Sequence, residues 1–179
     1  MARRRDGSGD HPGTTPTFSR TGHRAPLDDQ LMIRHATLAD VERLAELARD
    51  MHAESRFRDL NFNLDKVVVL FAGLVEQENG CMLAVDMAGE LVGFLAGGIG
   101  EDYFGDDRFS FEYGVYVAPA HRGSMAGPSL AREFLSWSDE RGARYKNMAV
   151  TTDITTERTG ALYERLGGKD VGKLYSWGL

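Results

Sequence analysis

The chain has very little cysteine: Cys81 is the single one among 179 residues. One thiol can form neither an internal disulfide nor a multi-cysteine metal site, and its place in an apolar run predicts a buried thiol. The five histidines show no metal-ligand spacing, so we expect no metal. A chain without disulfides suits a reducing compartment, and we therefore expect a cytoplasmic protein.

Long hydrophobic runs and an excess of basic residues are also lacking. No apolar run approaches the roughly 20 residues that cross a bilayer, and the basic start MARRRDGSG is not followed by a hydrophobic region. Neither a membrane span nor a secretory signal is expected. The formal net charge of −6 argues against a nucleic-acid partner, because phosphate backbones call for a basic surface. It suits a cationic or amine-bearing substrate better.

Residues 1–30 lack the large apolar side chains that a folded core requires. They hold three of the five prolines and four glycines, and Phe18 and Leu27 are their main apolar residues. Such a segment cannot bury enough surface to offset its ordering entropy. We predict a disordered tail over 1–30 and a single domain over 31–179.

The domain alternates between strand and helix patterns, with no internal repeat. The order is β-α-α-β-β-β-α-β-α-β, which predicts an α/β fold: a mixed, mostly antiparallel sheet of 6–7 strands flanked by about four helices. The predicted elements are the strand LMIRHA, a helix after Thr37 and Asp40, a helix capped by Asn63, the hairpin strands CMLAVDM and LVGFLAGGIG around Ala88-Gly89, the strand RFSFEYGVYVA, a helix over 128–141, the strand KNMAVTT, a helix from Thr155 to Leu166 and the strand VGKLYSWGL.

The turn RGSMAG, residues 122–127, joins the strongest strand to a helix. Gly123 and Gly127 permit positive φ and a close ligand approach, and the following helix supplies unpaired N–H groups and a positive dipole end. Arg122 and Ser124 add a cation and a hydroxyl donor. A pyrophosphate would fit this turn, but a plain strand-to-helix loop fits the spacing equally well.

The wider constellation resembles the GNAT N-acetyltransferase superfamily over about residues 31–179. It consists of Val117 and Pro119 at the strand end, then Arg122, Gly123, Ala126 and Gly127, and later Ala161, Leu162, Tyr163 and Leu166-Gly167. The resemblance implies the acyl-CoA N-acyltransferase fold and acetyl-CoA as acetyl donor. The cofactor-binding residues that it implies are Val115, Val117, Arg122, Gly123, Ser124, Met125, Ala126, Gly127 and Arg158.

Three residues depart from the family pattern. Met125 stands where the first motif glycine is usual, and its N–H serves a phosphate if its φ is negative. Arg158 stands where many members have an asparagine, and Gly168 replaces an aromatic residue.

The resemblance also implies direct transfer of the acetyl group to a primary amine. Tyr163 matches the position of the acid that protonates the thiolate, and Glu112 is the candidate base. Strict alternation places Glu112 with Gly114 and Tyr116, on the face opposite Val115, whereas a bulge would reverse this.

The acceptor side is expected in two loops. His52 and Glu54 follow the first helix as a second source of base, beside Phe57, and Tyr103 lies in the acidic loop EDYFGDD. That loop either attracts an amine or is simply solvated. Together they give the candidate substrate-binding residues His52, Glu54, Phe57 and Tyr103.

Three functions stay open. The first is an acetyl-CoA-dependent N-acetyltransferase acting on a small-molecule or protein amine. The second is a non-catalytic module of the same fold that binds acetyl-CoA or a partner chain, and the third is another nucleotide-phosphate-binding protein. A homodimer is possible through the last strand, which carries Tyr175 and Trp177.

Overall fold

The structure is a computed structural model that describes residues 31–178. The predicted tail over 1–30 lies outside the described residues. The strands are β1 (Leu31–His35), β2 (Gly80–Met87), β3 (Glu90–Glu101), β4 (Arg108–Val117) and β5 (Tyr145–Asn147), and the α-helices are α1 (Val41–Glu54), α2 (Leu64–Glu76), α3 (Ala126–Glu140) and α4 (Thr156–Arg165). Short 3-10 turns cover Leu38–Asp40 and Pro119–His121.

The strands form one sheet in the order β1-β2-β3-β4-β5. The first three pairs are antiparallel, and β4 pairs with β5 in parallel. The predicted α/β class, with a mixed and mostly antiparallel sheet flanked by four helices, is confirmed. The sheet has five strands among the described residues, fewer than the 6–7 predicted.

The last predicted strand accounts for the difference, because 171–178 contains no strand. The strand before it is shorter than predicted: of KNMAVTT only the first two residues belong to a strand, Tyr145–Asn147. The apolar side chains of 171–178 are open to solvent, with Val171 89% and Trp177 87% exposed. Alternating residues become a strand only when a neighbouring ladder and a buried face stabilise them, and this segment has no buried face. The predicted dimer edge with Tyr175 and Trp177 is therefore not a strand in this chain.

Local signals in the sequence explain where several elements begin. The backbone N–H and hydroxyl of Thr37 both donate to a carboxylate oxygen of Asp40, at 2.7 and 2.8 Å, before α1. Asn63 caps α2 by accepting from the Lys66 N–H at 3.0 Å. Ala88 and Gly89 both have positive φ, as the tight hairpin turn between β2 and β3 requires.

Helices cover both faces of the sheet. α1 and α2 pack one face around Leu44, Phe71 and Phe94, whereas α3 packs the other face with Leu130 and Phe134. Cys81 lies in the second cluster, and burial raises the pKa of its thiol to about 12. The predicted buried thiol is confirmed. None of the helices in 31–178 has the length and hydropathy to cross a membrane.

A bulge in β4 decides which side chains face α3. Ala96 of β3 pairs with Gly114, and the next residue, Gly97, pairs with Glu112, so that Tyr113 is an extra residue. A Cβ on Gly114 would touch Met51 of α1, whereas a Cβ on Gly97 would touch Phe134 of α3. Because paired residues share a face, Glu112 lies on the α3 face. The face predicted for Glu112 by strict alternation is wrong, because the bulge moves its side chain to the other face of β4.

Candidate active site

A cleft opens where β4 and β5 separate. The ladder between them ends at the pair Phe111 and Asn147. Beyond it the Ala149 N–H donates to Glu112 Oε1 at 2.8 Å, so a side chain replaces the next backbone partner. The cleft encloses about 210 Å³ between the end of β4, the 122–127 turn, the first turns of α3, residues 149–155 and α4.

Glu112 and Tyr163 both line this cleft, close enough for the carboxylate to act electrostatically on the phenol. Burial raises the pKa of Glu112 to about 7, and the bond from Ala149 opposes that rise. Burial and, secondarily, the Glu112 carboxylate raise the pKa of Tyr163 above its usual range. A carboxyl group that titrates near neutrality therefore lies beside a phenol that keeps its proton.

The 122–127 turn forms another part of the cleft wall. Gly123 has a φ of +92°, which L side chains rarely adopt, and Met125 has a φ of −75°. Met125 therefore has the negative φ that its N–H needs in order to serve a phosphate. Ser124 Oγ donates to the His121 carbonyl and accepts from the Ala126 N–H at 3.2 Å, which fixes the turn before α3.

The first turn of α3 points into the cleft at Gly127. A Cβ on Gly127 would meet no atom within 4 Å, so the approach to this backbone is open. By helix geometry the N–H of Gly127 has no partner within α3. Ala126 is instead fully buried among the residues that pack against α3.

Three arginines and one carboxylate line the cleft, although the chain as a whole has a net charge of −6. Arg158, on α4, lies opposite the turn, with Nη2 3.4 Å from where a Cβ of Gly123 would be. Arg122 donates from Nε to the Val117 carbonyl at 2.8 Å. Arg165 is the third, and the carboxylate is that of Glu112. The local charge is positive around the turn.

The edge of β4 turns peptide groups toward the cleft. The Ala118 N–H donates to the Val92 carbonyl of β3 at 2.8 Å. Because peptide groups alternate between the two sides of a strand, those of Val115 and Val117 point toward the cleft. Both residues line it.

The four predicted substrate-binding residues lie outside the cleft wall. His52 contacts the Phe62 ring at a centroid distance of 5.2 Å, and Phe57 lies beside Arg56. Tyr103 is 86% exposed in the acidic loop and stacks on Phe104. Glu54 approaches the cleft by pairing with Arg122. The structure thus brings together the cofactor and catalytic candidates but leaves the acceptor candidates apart.

Sequence reasoning missed the wall formed by residues 149–155. Ala149, Thr151, Thr152 and Thr155 line the cleft, as does Thr159 of α4. The signal was present in KNMAVTT, because a segment that ends in paired threonines has polar atoms to spare for a ligand. The prediction of a regular strand for this segment did not include such a wall.

The comparisons with known proteins agree with this geometry. A sequence model of the Acetyltransferase (GNAT) family matches residues 41–168. The chain belongs to the GNAT family. The family's activity makes it an N-acetyltransferase, and the match spans the turn, both catalytic candidates and α4. A sequence search of curated proteins finds no match.

Solved structures resemble this GNAT chain in fold. An aminoglycoside acetyltransferase, HMB0005, from an uncultured soil metagenomic sample is 22% identical, with a TM-score of 0.62 over 83% of this chain and 98% of the other. A transcriptional regulator from Bacillus halodurans C-125 is 22% identical, with a TM-score of 0.67 over 83% and 99%.

A third neighbour carries a ligand that spans both substrates. It is AAC(6')-Iy in complex with the bisubstrate analogue CoA-S-monomethyl-acetylneamine, 15% identical, with a TM-score of 0.68 over 83% of this chain and 97% of the other. At these identities the likeness establishes the fold that the two chains share.

Proposed function

We propose that this protein transfers the acetyl group of acetyl-CoA directly to a primary amine. The observation that carries the proposal is one cleft that is lined by the 122–127 turn and the start of α3 and also by Glu112 and Tyr163. The pantetheine arm of acetyl-CoA joins a pyrophosphate to a thioester. The turn suits the first group, and the two side chains suit the chemistry of the second.

The cofactor phosphates would bind at the turn. The α3 N-terminus supplies an N–H at Gly127 and the positive end of a 15-residue helix dipole. Arg158 adds a cation on the opposite wall, and the glycine at 123 keeps the backbone open to the ligand. Backbone N–H groups and arginine fit phosphate oxygens better than they fit an uncharged ligand.

The thioester would lie against the edge of β4 beyond the splay. Peptide groups of Val115 and Val117 that face the cleft can hydrogen-bond to the extended pantetheine arm and to the thioester oxygen. A backbone N–H held in this way stabilises the oxyanion that forms when the amine attacks.

Proton transfer falls to Glu112 and Tyr163. The acceptor arrives as an ammonium and must lose a proton before its nitrogen can attack, and a carboxylate with a pKa of about 7 is suited to accept it. The new N–C bond forms, the C–S bond breaks and its electron pair goes to sulfur. Tyr163, still protonated, donates its proton to the leaving thiolate, and the second proton that the acylated nitrogen loses restores the phenol.

The acceptor is proposed to be the primary amine of a small molecule. The support is the pair of neighbours whose names describe aminoglycoside acetylation or an acetylneamine ligand. An amine on a protein would use the same chemistry, and the two sources are separated by experiment.

The test is release of free CoA thiol, followed with a thiol reagent, in the presence of acetyl-CoA and a panel of amines. The panel contains neamine, spermidine and a peptide with a free N-terminus. Turnover with neamine or spermidine supports a small-molecule acceptor, and turnover with the peptide alone supports a protein acceptor. Tight acetyl-CoA binding without turnover for any amine would point to the non-catalytic module.

A further inference from the structure

A three-residue cluster joins the end of α1 to the start of the 122–127 turn. Glu54 is the last residue of α1, and both of its carboxylate oxygens are engaged. Oε1 accepts from the Tyr116 hydroxyl at 2.5 Å, and Oε2 accepts from Arg122 Nη2 at 2.7 Å. Glu54 therefore contacts two residues that line the cleft, although it does not line the cleft itself.

Arg122 is held on three sides. Its Nε donates to the Val117 carbonyl at 2.8 Å, its Nη2 bonds to Glu54, and its guanidinium lies 5.3 Å from the centre of the Tyr116 ring. A free arginine side chain loses rotamer entropy when it is fixed, and here that loss is incurred before any ligand arrives. The guanidinium still has N–H groups directed away from these partners.

The cluster is partly shielded from solvent. The Glu54 and Arg122 side chains are 32% and 25% exposed, and Tyr116 is buried. Burial and the Glu54 carboxylate raise the pKa of Tyr116, so its hydroxyl keeps the proton that it donates. The geometry is that of a fixed support.

We propose that Glu54 is a positioning residue that holds Arg122 in place to receive the pyrophosphate of acetyl-CoA. This role rests on the proposed function. It differs from the role in acceptor binding or proton removal that the sequence suggests, because both Glu54 oxygens already accept bonds. Glu54 acts on the cofactor through Arg122 and Tyr116.

An effect of the Glu54 charge alone would change the affinity for acetyl-CoA in the opposite direction. Glu54 offsets part of the positive charge of Arg122, so removing it would strengthen attraction to a pyrophosphate if charge alone mattered. If positioning dominates, removal weakens binding. The direction of the change separates the two.

The experiment compares acetyl-CoA with acetyl-pantetheine, which lacks the pyrophosphate. Glu54→Ala is expected to raise the dissociation constant for acetyl-CoA about tenfold, with kcat/KM for acetyl-pantetheine unchanged. A general loss of structure would weaken acetyl-CoA binding and would also lower kcat/KM for acetyl-pantetheine. Glu54→Gln, which keeps one acceptor oxygen for Arg122 but loses the charge and the second acceptor, should show a smaller rise, and Glu42→Gln on the same helix should show none.

A double-mutant cycle tests the route through Arg122. In an Arg122→Ala background, Glu54→Ala should cause no further loss of acetyl-CoA affinity. Unchanged or tighter acetyl-CoA binding by Glu54→Ala, while the unmodified protein binds, would overturn the positioning role alone. Failure of the unmodified protein to bind acetyl-CoA would overturn the proposed function as well.

Discussion

At the scale of single residues, the proposed chemistry depends on how the fold changes the proton affinity of Glu112 and Tyr163. Burial raises the pKa of Glu112 to about 7, and the Ala149 N–H limits the rise. The pKa of Tyr163 is raised as well, mainly by burial. A base near neutrality and an acid that stays protonated are what amine acetylation by direct transfer requires.

The first prediction concerns the pH dependence of the reaction. Glu112 accepts a proton only when ionised, so kcat/KM should rise with pH up to about 7 and then level off. Glu112→Gln should lower kcat/KM by about 10²-fold and remove this acidic limb. Steady-state kinetics between pH 5.5 and 9 measure both. If Glu112→Gln kept the same rise of kcat/KM with pH, that rise would belong to another titrating group.

Stability provides the control for that variant. The pKa of Glu112 in the folded protein lies above its ordinary value of 4.5. The folded state therefore binds more protons, and stability present at low pH is lost as pH rises through about 7. Glu112→Gln avoids the buried charge and should melt no lower than the unmodified protein at pH 8. A lower melting temperature would attribute the lost activity to unfolding.

The second prediction concerns the leaving group. Tyr163→Phe removes the proton donor but keeps the ring that packs against the cleft, so kcat should fall by about 10²-fold with little change in the KM for acetyl-CoA. Initial rates over a range of acetyl-CoA concentrations measure the two constants. If kcat were unchanged and only the KM for acetyl-CoA rose, the hydroxyl would position the cofactor and would not act as the proton donor.

At the scale of elements, the strand-to-helix turn and the bulge decide what the cleft can bind. The turn aims the N-terminus of α3 into the cleft, and Gly127 leaves that approach open. The bulge at Tyr113 moves Glu112 from the α1 face to the α3 face, where the cleft lies. One irregular residue thus places the candidate base.

The third prediction tests the helix N-terminus as an anion site. Gly127→Glu places a carboxylate where the pyrophosphate is proposed to bind, and acetyl-CoA binding should be lost. Gly127→Gln has the same size without the charge, and Gly127→Ala fills little of an open space. Titration calorimetry should show binding at least tenfold weaker for Glu than for Gln. Equal effects of Glu and Gln would indicate crowding.

At the scale of the whole molecule, the cleft exists because the sheet does not continue. α1 and α2 cover one face and α3 covers the other, while β5 pairs with only three residues of β4. Residues 149–155 and α4 then form the far wall. A ligand that fills the cleft would bridge these two sides and stabilise the domain.

The fourth prediction follows from that bridging. Acetyl-CoA at about 100 times its dissociation constant should stabilise the folded state by about 2.7 kcal/mol and raise the melting temperature by several degrees. ATP and NAD⁺ at the same concentration should cause a smaller shift, and Gly127→Glu should show none with acetyl-CoA. A larger shift with either nucleotide would support a different phosphate ligand.

Much of the fold can be predicted from local signals. Thr37 with Asp40, Asn63 and Ala88-Gly89 begin or join elements through short-range hydrogen bonds or positive φ, which neighbouring residues alone determine. The turn at 122–127 belongs to the same class. The GNAT family match over 41–168 agrees with the motif at this turn.

The failures of prediction share one cause. The strand predicted over 171–179 and the long form of KNMAVTT depend on a neighbouring strand, which no local pattern supplies. The face of Glu112 depends on pairing with β3, since a bulge exists only relative to a partner. The contacts of Glu54 join residues that are 62 and 68 positions apart.

The sequence by itself determined the α/β class, the turn that faces the cleft and the residue types suited to amine acetylation. Those features depend on periodicity, capping and glycine positions within a few residues. Only the tertiary structure decided that Glu112 and Tyr163 line one cleft and that Glu54 pairs with Arg122. Such contacts depend on strand register and on helices packed from distant parts of the chain, and burial by those elements sets the pKa of Glu112.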